Sequence, residues 1–232
     1  MKFKKAGAVL ITAVLLTACQ SGASTHENHE TSESTISEAA DEEEITVHNP
    51  GEIVTDPQQA LKYLKDGNER YVSETDAHRN SADDRRATSE AQHPFAVVVT
   101  CSDSRAVPEL YFDQKIGDIF VIRNAGNVMD KSALGSIEYA VKELKVPLVV
   151  VVGHIKCGAV AAALSGDRYP PNLEYNIDEI RRHITTNDPI LSVRENAEGS
   201  ALDIQENETV SELKPAVVSA VYDIDSGIVT FN

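Results

Sequence analysis

The 232-residue sequence predicts an α/β fold, with a mainly parallel central β-sheet flanked by helices and preceded by an N-terminal helical arm. Three short apolar runs, at 95–100, 119–122 and 148–152, are rich in β-branched residues and typical of strands buried on both faces. Segments in which apolar residues recur at helical spacing alternate with these runs along the chain. Alternation of this kind favours a parallel sheet, because parallel strands need a crossover connection between them.

The first predicted element is a helix over residues 56–72. Thr55-Asp56-Pro57 provides a cap and a proline near the first helical position, and apolar side chains then recur at roughly helical spacing. The polar stretch from Ser73 to Gln92 has little apolar content, so we interpret it as a long connection to the first strand.

The remaining elements follow the second and third strands. Apolar side chains at helical spacing predict a helix over 133–144, and a second helix is expected over 157–164. Two strand-like runs, 216–223 and 228–231, surround a glycine-containing turn and predict a final hairpin or edge pair. Residues 166–210 are polar, with few apolar repeats, and give no clear prediction.

The N-terminal region is not typical of a folded domain. Residues 1–18 have lysines, a short apolar run and small residues, which indicate a secretory signal rather than a membrane span of ~20 residues. The end of this region resembles the lipobox of bacterial lipoproteins, so we expect Cys19 to be lipidated and the protein to be exported and anchored to a bacterial membrane. An ordinary cleaved signal or an uncleaved anchor is the alternative.

Residues 19–54 are expected to form a disordered acidic tether, and residues 55–232 the folded domain. The segment from Gln20 to Pro50 has eight acidic residues, no lysine or arginine and almost no large apolar side chain, so it cannot offset its ordering entropy. Its histidines, at positions 26, 29 and 48, are expected to be passive. The formal net charge of -16 argues against nucleic acid as a partner.

Two of the three cysteines follow predicted strands. Cys101 comes directly after the first strand, and His154 and Cys157 follow the third, at the strand ends where open α/β sheets place their ligand sites. Two thiolates and an imidazole are ligands that zinc accepts. The residues alone leave three possibilities open: a zinc site, a disulfide between Cys101 and Cys157, or two unrelated buried thiols. Asp103 and Arg105 could equally form an ordinary surface ion pair.

Taken together, the motifs resemble the β-class carbonic anhydrases. The motifs are Cys101-Ser-Asp-Ser-Arg105 and, some fifty residues later, Gly153-His-x-x-Cys157-Gly158. The resemblance also includes segments at 60–70, 117–127 and 136–141. It covers residues 56–165 well and resumes weakly at 221–229.

The resemblance implies an activity, the reversible hydration of carbon dioxide to bicarbonate and a proton. It implies that Cys101, His154 and Cys157 hold one Zn²⁺ per subunit, whose bound water has a pKa lowered towards ~7 and attacks as hydroxide. Asp103 would orient the fourth ligand, or occupy its position in a closed state, and Arg105 would keep Asp103 off the metal.

The resemblance further implies a substrate pocket of the plant-like branch of the family, lined by Gln92, Phe120, Tyr139 and Gly158. Some of these residues would come from a neighbouring subunit, so a homodimer or a dimer of dimers is expected. Val98 stands where the bicarbonate-regulated branch carries a tryptophan. The alternatives are a carbonyl sulfide or carbon disulfide hydrolase using the same site, a non-catalytic zinc-binding lipoprotein, and a disulfide-stapled binding module.

Overall fold

The computed structural model describes residues 46–49, 51–75 and 80–232. Within these residues lies one five-stranded sheet. Its strands are β1 (Ala96–Cys101), β2 (Ile119–Asn124), β3 (Leu148–His154), β4 (Ala216–Tyr222) and β5 (Val229–Phe231). The spatial order is β2-β1-β3-β4-β5. The first four strands are parallel, and β5 pairs antiparallel with β4. The predicted α/β class with a mainly parallel sheet is confirmed.

Helices cover both faces of this sheet. They are α1 (Pro57–Val72), α2 (Ala82–Ala87), α3 (Pro108–Tyr111), α4 (Lys131–Lys142), α5 (Gly158–Ser165), α6 (Pro171–His183), α7 (Pro189–Glu206) and α8 (Glu208–Leu213). Alternate residues of β1 and β3 point to opposite faces. One face packs with α1 and α3, and the other with α4, α7 and α8. Burial of β1 and β3 on both faces explains why their sequences are continuous apolar runs.

The structure adds detail to the predicted helices at three places. The predicted N-terminal helical arm is α1, which packs on the sheet with Ala60 and Leu64 fully buried. The connection from Ser73 to Gln92 contains a short helix, α2, whose N-terminus is stabilised by a capping box formed by Ser81 and Asp84. The polar stretch over 166–210 forms α6, α7 and the start of α8.

The folded region begins before the predicted boundary at Thr55. Both the backbone N and the Oγ1 of Thr46 donate to Asp66 Oδ2, at 2.6 and 2.7 Å. His48, which we expected to be passive in the tether, is buried and bonds Asp118 through its ring. Residues 46–49 therefore pack on the domain, although the sequence prediction assigned them to the tether. The predicted signal sequence and Cys19 lie outside the described residues.

Candidate metal centre and active site

Three potential metal ligands meet at the carboxyl ends of β1 and β3. Cys101 is the last residue of β1, His154 the last of β3, and Cys157 the N-cap of α5. All three are buried, and their ligand atoms lie within 4.8 Å of one another. The structure thus brings together the three residues that the sequence predicted as ligands.

The turn between β3 and α5 brings His154 and Cys157 to one point. The predicted helix over 157–164 begins one residue later, at Gly158, so His154 belongs to the strand and Cys157 caps the helix. The backbone amide of Ile155 donates to the carbonyl of Tyr222 at 2.9 Å, which holds the turn against β4. Lys156 has a φ of 61°, a left-handed conformation that reverses the chain within this short segment.

The separation of the two sulfur atoms excludes a disulfide in this structure. Cys101 Sγ and Cys157 Sγ are 4.0 Å apart, and both thiols are free, whereas a disulfide requires about 2.05 Å. Two zinc–sulfur bonds of about 2.3 Å at a tetrahedral angle place their sulfur atoms about 3.8 Å apart. The observed distance is therefore close to what a shared zinc ion requires.

The imidazole of His154 completes this donor set. Its side chain is buried, and Nδ1 lies 3.1 Å from the carbonyl of Ile155, which accepts a hydrogen bond from it. That bond leaves Nε2 as the unprotonated nitrogen, and Nε2 has no hydrogen-bond partner in the described part of the chain. A buried nitrogen without a partner is costly unless it binds something. The residues present fit a zinc ion.

The two thiols differ in acidity. The pKa of Cys101 is lowered, chiefly because Cys157 donates a hydrogen bond to its sulfur; the neighbouring His154 ring and the Gly126 amide act in the same direction, and burial opposes them. The pKa of Cys157 is raised, because it is the donor to Cys101 and is itself buried. Zinc binds thiolates, so occupation of the centre has to displace the proton that the two sulfurs share.

Asp103 lies beside the centre and is held by Arg105. The guanidinium donates to both carboxylate oxygens, from Nε at 2.9 Å and from Nη2 at 2.7 Å, and the Arg105 backbone amide adds a third bond at 3.0 Å. These contacts with Arg105 keep the pKa of Asp103 well below its usual range. Asp103 Oδ2 is 3.9 Å from His154 Nε2. An ionised, oriented carboxylate therefore lies beside the ligand cluster.

Arg123 is a site residue that the sequence interpretation missed. It lies on β2 and donates to two carbonyls of the adjacent loop, to Cys101 at 3.1 Å and to Asp103 at 2.7 Å. These bonds fix the backbone that carries both residues. An arginine directly after a predicted apolar strand was the available signal.

The predicted pocket residues do not gather at the metal cluster of their own chain. Phe120 pairs in register with Val97, four residues before Cys101 on β1, which corresponds to about 13 Å along a parallel strand. Tyr139 lies near Phe120, with ring centroids 6.3 Å apart. Gln92 is exposed and precedes β1. Of the four, only Gly158 follows a metal ligand directly.

Comparison with known proteins agrees with this geometry. A family model described as carbonic anhydrase matches residues 96–229. A carbonic anhydrase of Mycolicibacterium smegmatis is 54% identical over 112 residues, which are 48% of this chain and 54% of that protein. The chain spans about half the length of this relative and of carbonic anhydrase 2 of Mycobacterium tuberculosis.

Two solved structures have the same fold. The β-carbonic anhydrase CafA of Aspergillus fumigatus aligns with a TM-score of 0.58 and 28% identity, covering 63% of this chain and 79% of that one. A chain from two tetrameric β-carbonic anhydrases of Sordaria macrospora aligns with a TM-score of 0.55 and 27% identity, covering 62% and 82%. The match to the family model spans more than half of the sequence, and the chain therefore belongs to the carbonic anhydrase family, with the fold of its β class.

Proposed function

We propose that this protein catalyses the zinc-dependent, reversible hydration of carbon dioxide to bicarbonate and a proton, with one Zn²⁺ per subunit. One observation carries the proposal. The buried donor set of Cys101, His154 and Cys157, with an unpartnered His154 Nε2, lies beside an ionised carboxylate held by an arginine. A site built only to bind zinc has no need of that oriented carboxylate.

A zinc ion held by these residues supplies the Lewis acidity that makes water nucleophilic near neutral pH. Asp103 orients the attacking water. Each carboxylate oxygen has more than one acceptor position, so Asp103 can accept a hydrogen from the attacking water while it remains bonded to Arg105. Arg105 holds Asp103 in the ionised, acceptor form and keeps its carboxylate from moving onto the metal.

We propose that the substrate pocket is completed by a second copy of the chain. Phe120, Tyr139 and Gln92 are distant from the metal cluster of their own subunit along the sheet, and Tyr139 is 48% exposed. Strand β2 is an edge strand, so a twofold-related copy can approach it. The active unit is then a homodimer or a dimer of dimers of the plant-like branch. Sedimentation analysis that finds only active monomers would contradict this arrangement.

The activity is tested by stopped-flow hydration of carbon dioxide with the wild type, Asp103→Ala and Asp83→Ala. Asp83 also pairs with an arginine, Arg86, but lies on the exposed helix α2, so it is a matched control. We expect Asp103→Ala to retain zinc and to lose about a hundredfold in kcat. Asp83→Ala should match the wild type. Background rates for both the wild type and Asp103→Ala would refute the function, and a parallel assay with carbonyl sulfide would reveal the alternative substrate.

We also propose that the protein is exported and anchored through a lipid on Cys19. The support is the signal-like sequence ahead of Cys19 and the acidic segment that follows it. Among the residues that the structure describes, no helix combines the length and the apolar character needed to cross a bilayer. Labelled fatty acid should be incorporated by the wild type and not by Cys19→Ala. Equal labelling, or labelling of neither, would contradict the anchor.

A further inference from the structure

Three consecutive carbonyls beside the metal centre are held by side chains of α6 and α7. Asn176 Nδ2 donates to the carbonyl of Ala125 at 3.3 Å, and Asn196 Nδ2 donates to that of Gly126 at 2.9 Å. Ser200 Oγ donates to the third carbonyl, that of residue 127, at 3.0 Å. Both helices lie beyond the stretch in which the sequence resembles the family well.

The first of these bonds reaches a metal ligand through a single peptide group. The carbonyl of Ala125 and the amide of Gly126 belong to the same planar unit. On one side this unit accepts from Asn176, and on the other it donates to Cys101 Sγ at 3.4 Å. Hydrogen bonds that share a peptide unit polarise one another. Asn176 therefore acts on the sulfur of Cys101 without contacting it.

The loop has little freedom to relax. Gly126 has a φ of 81°, and a Cβ added there would lie 2.5 Å from Ile180 Cδ1 on α6. Asn196 is itself fixed, because its Oδ1 lies 3.3 Å from His183 Nδ1 and the other ring nitrogen of His183 lies 3.1 Å from Asp203 Oδ2. Asn196 is 1% exposed. Asn196, which holds the Gly126 carbonyl, is thus buried and bonded in turn.

We propose that Asn176 is a positioning residue for the metal ligand Cys101. By holding the carbonyl of Ala125, it aims the Gly126 amide at the sulfur. This proposal rests on the proposed function, because it requires that the centre holds zinc. It assigns a role to α6, a helix that contributes no ligand.

The test compares Asn176→Leu, Asn176→Gln and Ser200→Ala with the wild type. Leucine has nearly the shape of asparagine but donates no hydrogen bond, and Asn176 is only partly buried, so this variant should fold. Glutamine restores an amide donor. Ser200→Ala is the matched control, because it removes a bond to the same loop but not to the peptide unit that contacts Cys101. Unfolding curves establish that each variant is folded.

Two readouts do not depend on activity: zinc affinity from chelator competition, and the sulfur-to-metal charge-transfer band of the cobalt-substituted protein. For Asn176→Leu we expect the zinc Kd to rise about tenfold. The band should move to longer wavelength, because a sulfur that loses a hydrogen bond gives up its electron more easily. Asn176→Gln should recover part of both effects, and Ser200→Ala should change neither.

Each remaining outcome counts against a specific statement. Wild-type affinity and band in a folded Asn176→Leu protein would overturn the positioning role and leave the proposed function intact. Equal effects of Asn176→Leu and Ser200→Ala would show that loop packing, not this peptide unit, matters. A wild-type protein that binds no zinc would refute the proposed function, and the positioning role with it.

Discussion

Two buried histidines of this chain have opposite surroundings. His48 is 2% exposed and His154 is 1% exposed, yet both ring nitrogens of His48 have partners. Its Nδ1 lies 2.8 Å from Asp118 Oδ1, and its Nε2 lies 3.2 Å from the carbonyl of Glu52. The Nε2 of His154 has none within the described chain and faces two sulfurs. The two rings are equally buried, and they differ in whether each ring nitrogen has a hydrogen-bond partner.

The difference separates a structural histidine from a ligand. The ring of His48 also packs edge-on against Tyr63 and Phe95, with centroids 5.3 and 5.0 Å away, so it joins the N-terminal segment to the core. A ring bonded on both nitrogens has no lone pair to offer a metal. We therefore expect substitutions at the two histidines to produce distinct defects.

The largest effect is expected on zinc content and activity. His154→Ala removes one of three ligands, so purified protein should hold little zinc and hydrate carbon dioxide at the background rate. His48→Leu should keep one zinc per chain and wild-type kcat. Metal analysis with stopped-flow assays measures both. The contrast breaks down if His48→Leu also loses its zinc while folded, or if His154→Ala keeps it.

The next effect is on stability. Asp118 is 1% exposed, and His48→Leu leaves its charge without its ionic partner, although the Lys115 amide still donates to it. Loss of one partner of a buried pair costs about 3 kcal/mol in the free energy of unfolding. Urea unfolding with saturating zinc measures this cost.

A double variant tests the cause of that cost. His48→Leu combined with Asp118→Asn should be more stable than His48→Leu alone, because no unpaired charge then remains buried. Additive losses would instead show that His48 contributes through packing against Tyr63 and Phe95.

The smallest effect is a dependence on pH. Burial lowers the pKa of His48, but the hydrogen bond and charge of Asp118 outweigh burial and raise it above its usual value. The Glu52 carboxylate and carbonyl act in the same direction as Asp118. A raised folded-state pKa stabilises the fold below the unfolded pKa of about 6.5, and this contribution is lost as pH rises through the folded pKa.

The stability difference between wild type and His48→Leu should therefore be largest near about pH 6 and shrink towards about pH 9. Urea unfolding of both proteins across this range measures it. Zinc ligation affects both proteins alike and cancels in the difference. A gap that widens with pH would mean that His48 is neutral in the folded protein.

How much of the fold could be predicted from the sequence depends on which contacts stabilise each strand or helix. The strands were predictable because β1 and β3 are buried on both faces. Helix α7 was not predictable, since the side chains that it buries include Ser192, Asn196 and Ser200. These polar residues interrupt the apolar periodicity by which a helix is recognised. All three donate hydrogen bonds to carbonyls of loops outside the helix, and a sequence pattern does not show where such carbonyls lie.

The residues of the candidate site also differ in how far the sequence predicts them. That Cys101, His154 and Cys157 lie together was predictable, because strand ends of parallel neighbours meet, and their role as zinc ligands was implied by the family resemblance. Arg123, Asn176 and Asn196 act through backbone carbonyls of other segments, so their roles depend on the tertiary fold. His48 was misjudged for a related reason: its acidic surroundings in the sequence gave no sign of the buried Asp118, seventy positions away.

The two sulfurs of the centre are separated by 56 positions in the chain. One belongs to the last residue of β1, and the other lies in the turn that follows the neighbouring strand β3. Ordering the intervening segment costs chain entropy before any ligand pair can form. The zinc ion proposed for this centre would close that long loop in addition to any chemistry it supports, and it would fasten β1 to β3 at one end of the sheet. Because it would bind only where the two strand ends have met, metal binding should stabilise the central pair of strands.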